Sequence, residues 1–343
     1  MQGISWYMTL SNRNKLLVLF LILIVCLPRF DRNDFLMQEI VGSDMENDSM
    51  QYVAMTDAFK GETPQLVPTA PFTYRTLVPY LASLLPLPSI TAIDVINILV
   101  LWLGTILLGQ ILLRHGLNQR DTLLILATFV VSFPVFYYGA IGYVDTAFIG
   151  LLAIGCYLIE RKFDLLLIAL LFVGVFVKEI IILILPVYFL QGLVQKRGVA
   201  YTVTMTALLF FACLAGVWLA RKFSSDQATY TWEPNMNRFL DNVHRIRTWI
   251  SFFLSAGLPC ALSVVAIVVT LYNKNWPLLW RMFPWVAGIG GSVALFLYSL
   301  LTAYSDGRFI WPATVFAIPL LGIFFMEYKN HISRITHSKV ADS

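Results

Sequence analysis

Charge is scarce in this sequence. Only 13% of its 343 residues are Asp, Glu, Lys or Arg, about half the roughly 25% that soluble domains carry. With 58% hydrophobic residues and a mean hydropathy of +0.74, an ordinary soluble core could not hide so much apolar side chain. The composition implies a polytopic membrane protein. Cysteine and histidine are equally sparse, at four each. Cys26, Cys156, Cys213 and Cys260 form no CxxC pair and lie in or beside apolar runs, which excludes a disulfide framework and reads as small buried hydrophobes. His115, His244, His331 and His337 are scattered, which excludes a zinc motif. No dense basic patch with interleaved aromatics is present, which argues against nucleic acid. Matched halves of Gly/Pro-broken spans, the mark of many secondary transporters, are also missing.

What is present is a succession of apolar stretches: residues 16–27, 90–113, 122–138, 146–159, 165–177, 180–193, 199–220, 249–272, 283–303 and 309–326. The expected fold is an all-α bundle of about ten spans in a single integral-membrane domain, residues 1–343. No small-residue cleavage pattern follows the first stretch, so it reads as a retained span. The connections 114–120, 160–162, 195–197 and 274–281 and both tails are basic. Basic short connections mark the cytoplasmic side. The loops 28–88, 139–145, 178–179, 221–248 and 304–308 then face outward. Loop 221–248 strains that rule with Arg221, Lys222, Arg238, Arg245 and Arg247; anionic lipid or phosphate would give those cations a role.

The first outer loop, 28–88, is the one long polar interruption, and residues 44–79 hold most of its character. Asp44 and Asp48 precede Tyr52, Met55, Thr56 and Phe59, which recur at helical spacing and predict a short interfacial helix. Asp48-Ser-Met-Gln51 also has capping-box spacing, so Asp48 is open to two readings, N-cap and functional acid. Asp145 begins a span, where an acid either caps the helix or serves function. Lys178 and Glu179 either pair with each other or place Lys178 against a phosphate. Arg75 either snorkels or forks onto a phosphate. Arg308 follows a Ser-Asp-Gly turn and has Asp306 as a simple partner. Together these put several acids and three cations on one face, the equipment for a phosphate-linked substrate at a membrane surface.

On these residues the sequence resembles the GT-C superfamily of integral-membrane glycosyltransferases. Asp48-Ser-Met-Gln-Tyr52 is similar to that family's first-loop motif, and Tyr74-Arg75-Thr76-Leu77-Val78-Pro79 to the YR-x-x-P ending of the same loop in glycosylphosphatidylinositol mannosyltransferases. Asp145 matches a second acid carried by many members. Phe176-Val177-Lys178 resembles the threonine-lysine-glycine segment of lipid A aminoarabinose transferases, with Glu179 where glycine is usual. Gly307-Arg308-Phe309-Ile310-Trp311-Pro312 resembles an arginine-tyrosine segment, with Phe309 replacing tyrosine.

The resemblance implies an inverting transfer from a polyprenyl-phosphate sugar at the outer face of a bacterial inner membrane, with both termini cytoplasmic. Asp48 would be the base, and Asp44 or Asp145 would orient the acceptor. Lys178, Arg75 and Arg308 would hold the donor phosphate, and Tyr52, Tyr74 and Glu179 would contact acceptor or sugar. A divalent cation, Mg or Mn, on Asp44 and Asp48 is compatible with that set. A flippase for lipid-linked sugars, an envelope-polysaccharide polymerase and a silent scaffold are the rival readings.

Overall fold

The computed structural model describes residues 9–30, 48–62, 70–223, 233–303 and 305–341, and these are helical with no strand. In chain order the helices are α1 (Asn12–Cys26), α2 (Asp48–Lys60), α3 (Leu77–Ser83), α4 (Ser89–Arg114), α5 (Gln119–Val130), α6 (Phe133–Tyr138) and α7 (Asp145–Arg161). There follow α8 (Asp164–Gly174), α9 (Ile184–Val194), α10 (Val199–Phe223), α11 (Met236–His244), α12 (Ile246–Tyr272), α13 (Trp276–Thr302) and α14 (Pro312–Ala341). Short 3₁₀ turns at Glu179–Leu183 and Gly307–Phe309 carry residues of the site described below, and one at Phe72–Tyr74 leads into Arg75.

Each of the ten apolar stretches holds helix, but among the described residues only five helices are long and apolar enough to cross a membrane. They are α4, α10 over Val199–Lys222, α12, α13 and the Pro312–Lys329 part of α14. The others are shorter for local reasons. The stretch 122–138 divides because Ser132 takes an extended N-cap conformation and Pro134 falls in the first turn of α6, where a missing N–H costs nothing. The stretch 180–193 opens as 3₁₀ before α9 begins. Inside α12, Gly257 (φ 59°) breaks the helix just before Pro259. Helices α10 and α12 turn long rows of apolar side chains outward, among them Phe210, Phe211, Trp218, Phe253, Leu258 and Val265. That surface suits lipid and not water. The four cysteines are buried and unpaired.

The centre of the bundle is the contact of α4 with α7. A Cβ added at Gly150 would lie 2.5 Å from the Val100 carbonyl oxygen, and one at Gly104 would lie 2.6 Å from the Gly150 carbonyl oxygen. Small residues let the two backbones touch, the usual device for helices packed without a hydrophobic driving force. Because backbone, not a flexible side chain, blocks the added methyl, Gly150→Ala is expected to destabilise the protein by about 1–3 kcal/mol. Unfolding in detergent measures it, and an unchanged midpoint would contradict the close packing.

Charged groups collect at two opposite ends. At one, Arg197 meets Asp164 at 2.9 Å, Lys329 meets Asp121 at 3.2 Å, and Gln191 donates to Glu160 at 2.8 Å. This end gathers the basic connections. At the other lie α2, α3, the turns after α6 and α8, and the 305–309 turn. Helix α2 is anchored there: Lys60 donates to the Leu87 carbonyl at 2.6 Å and Ser89 donates to Asp57. Its Tyr52, Met55 and Thr56 face the bundle while Phe59 is exposed, so the helical spacing marks a buried face and not one resting in lipid.

Candidate active site

Asp48 is the first residue of α2, where a helix N-terminus favours negative charge. Its carboxylate accepts a hydrogen bond from Arg308 at 2.6 Å. The two residues are 260 positions apart in sequence. Arg308 also donates through Nε to Asp306 at 2.9 Å and stands 4.7 Å from the centre of the Tyr143 ring. One guanidinium thus joins α2, the 305–309 turn and the turn before α7. Arg308 thus pairs with Asp306 and with Asp48 at once.

The position of Arg308 is fixed by its neighbours. Gly307 N–H donates to Ser251 Oγ at 2.7 Å. A Cβ at Gly307 would lie 1.9 Å from Ser255 Oγ and 2.5 Å from the Ser251 carbonyl oxygen, so only glycine lets the turn sit against α12. Asn242 of α11 accepts from Ser305 N–H at 3.2 Å and donates to the carbonyls of Leu300 and Ala303 at 2.9 and 2.7 Å. Burial pushes the Asp306 carboxyl above the ordinary carboxylate range, with Arg308 pulling the other way.

The second arm runs through the turn after α8. Lys178 and Asp145 form a buried ion pair. Lys178 does not pair with Glu179. Burial holds its ammonium below the ordinary lysine value, with Asp145 opposing. Arg75 and Arg308 act on both members of the pair, which makes the two arms one electrostatic unit. Glu179 turns the other way and takes Arg75 in a fork, at 3.1 Å from Nε and 2.8 Å from Nη2. Arg75 reaches Tyr52 Oη at 3.2 Å with its remaining nitrogen. The Leu77 N–H donates to the Phe176 carbonyl at 3.1 Å, so the backbone already sets the Arg75 segment beside Lys178 and Glu179. Glu179, where the resemblance expects glycine, here provides the counter-ion of Arg75.

Burial works against the charged form of Glu179, but the Arg75 guanidinium outweighs it and holds the carboxyl below its ordinary value. A carboxyl depressed in the folded state stabilises at neutral pH and loses that contribution as pH falls through its lowered value. Glu179→Gln is therefore expected to weaken the protein most at pH 7, and the gap from wild type should close below about pH 4.5. Denaturation midpoints across pH 3–7 check this, and a gap that widens in acid would reverse the assignment.

Two residues that the sequence does not single out hold the turn before α7. Asp94 and Asn97, both fully buried in α4, accept from Gly142 N–H at 2.8 Å and Ala147 N–H at 3.1 Å. An acid and an amide at i and i+3 inside an apolar helix were the available signal. Tyr143 and Asp145 project from the turn they secure.

Not every expected residue joins the site. Tyr74 faces Arg221 at the end of α10, 5.7 Å from guanidinium carbon to ring centre. Asp44 lies outside the described residues. Of the cations in loop 221–248, Arg238 donates to the Thr302 carbonyl at 2.7 Å, and Arg221 and Lys222 stand over the rings of Tyr74 and Trp218. For a divalent cation, the described residues hold no suitable group of three or more His, Cys, Asp or Glu. Asp48 is bonded to an arginine.

Comparison with protein families, curated proteins and solved structures gives no match. The site is therefore read from its own geometry. It holds carboxylates, three cations and two buried tyrosines at one end of a lipid-facing bundle, an arrangement suited to accepting a proton and neutralising a phosphate.

Proposed function

We propose that this protein is a membrane glycosyltransferase of the GT-C kind. It moves a monosaccharide from a polyprenyl-phosphate-linked donor to an acceptor lipid, glycan or protein on the extracytoplasmic face. The observation that carries this reading is the convergence of Asp48, Arg75, Asp145, Lys178 with Glu179, and Arg308 from five separate segments into one linked cluster. In the reaction the acceptor hydroxyl oxygen attacks the anomeric carbon. The bond from that carbon to the phosphate oxygen breaks, and its electron pair leaves with the lipid phosphate. Asp48 takes the acceptor's proton, and a single displacement inverts the anomeric centre. Lys178, Arg75 and Arg308 neutralise the departing phosphate, and Asp145 keeps Lys178 in place. The ten apolar stretches would cross the membrane in alternation, leaving both termini on the basic, cytoplasmic side of a bacterial inner membrane.

The test is transfer of labelled sugar from a polyprenyl-phosphate donor by purified protein in detergent, with no membrane potential. Formation of a glycosylated acceptor supports the reading. Movement of lipid-linked sugar across vesicles without any product would replace the enzyme with a flippase.

A further inference from the structure

A second feature lies at the opposite end of the bundle and plays no part in the chemistry above. Helices α1 and α5 enclose an apolar groove of about 650 Å³ lined by Leu17, Leu21, Ile24, Leu123, Leu124 and Val130, among others. At its mouth stand Arg13 and Arg120, and among the described residues no acid lines it. The nearby Asp121 is turned to Lys329. From Arg13 to Ile24 the helix rises roughly 17 Å, close to the half-thickness of about 15 Å of a bilayer's hydrocarbon core. The groove thus has the depth of one leaflet.

Its polar end is ordered by a chain of amide hydrogen bonds. Gln119 Nε2 donates to the Thr9 carbonyl at 3.0 Å, which leaves its Oε1 to accept from Asn14 Nδ2 at 2.7 Å. The carbonyl can only accept, so this chain fixes the orientation of both amides. Asn14, which lines the groove, is only 4% exposed, and its Oδ1 is enclosed by the protein.

We propose that this groove binds an anionic glycerophospholipid from the leaflet at the basic end. Its phosphate sits between Arg13 and Arg120, and an acyl chain fills the apolar length. Two arginines select the anionic lipid over a zwitterionic one.

Native mass spectrometry of the detergent-purified full chain, titrated with dioleoylphosphatidylglycerol or dioleoylphosphatidylcholine, tests the site. Retention of the anionic lipid at about tenfold lower concentration is expected. The double variant Arg13→Gln, Arg120→Gln should lose that preference while Arg114→Gln, at the same end, keeps it. Leu21→Trp, which fills the groove, should reduce retention of both lipids. Equal retention of the two lipids by the wild type would overturn the proposal, as would a preference that survives the double variant. Displacement of the anionic lipid by millimolar glycerol 1-phosphate would also overturn it, because the site would then belong to a soluble phosphate.

Discussion

Asp48→Asn is expected to lower kcat for sugar transfer by roughly 10²–10⁴-fold, the usual contribution of a positioned general base. Asparagine is nearly isosteric and keeps an oxygen for the Arg308 guanidinium, so the 2.6 Å contact that ties α2 to the 305–309 turn has a replacement. Melting temperature should therefore change little, and the loss should fall on kcat more than on KM, since proton removal occurs only in the transition state. Asp306→Asn provides the comparison. It touches the same arginine, so a defect caused only by misplacing Arg308 would appear equally in both variants. Steady-state transfer from a labelled donor measures the effect. A loss of less than about tenfold would remove Asp48 from the role of base.

The second large effect is on stability. Asp145→Ala is expected to cost about 3–5 kcal/mol, the penalty for stranding a buried charge. Lys178 would then face Arg75 and Arg308 without the carboxylate it is paired with. Lys178→Met should be milder, because Asp145 would remain under the influence of those same two arginines. The double variant Asp145→Leu, Lys178→Met should recover most of the loss, as apolar replacements of buried ion pairs commonly do. It should nevertheless fail in transfer, because Lys178 is assigned to the phosphate. Thermal unfolding in detergent, with the single-variant midpoint lower by roughly 10 °C, separates these outcomes. A double variant as unstable as Asp145→Ala would show that the pair is not the source of the penalty.

Much of this arrangement could be read in the sequence, for a physical reason. Charge at the end of an apolar run is costly to keep without a role, so Asp48, Arg75, Asp145, Lys178 and Arg308 stood out individually. Their pairing could not be read. Lys178 and Glu179 are neighbours in the chain, yet the backbone turns them to different partners, and Asp48 meets an arginine 260 positions away. Adjacency likewise misleads for Tyr74, which immediately precedes Arg75 but faces α10. Asp94 and Asn97 show in the sequence only as an acid and an amide three apart in an apolar helix; their partners, backbone N–H groups some 50 positions away, leave no mark along α4. The break between α5 and α6 was legible in Pro134, although the apolar count runs straight through it. The groove between α1 and α5 depends on the spacing of two helices, which composition does not encode.

The Arg308 fork has a consequence for how a ligand enters. The three cations assigned to the phosphate already hold carboxylates: Arg75 holds Glu179, Lys178 holds Asp145, and Arg308 holds both Asp48 and Asp306. The resting site is its own counter-ion lattice, and under the proposed function an arriving phosphate would exchange places with an internal anion. At Arg308 that exchange would release Asp48 from its partner as the donor settles. The protein would then expose its proton acceptor only in the presence of the substrate that needs it.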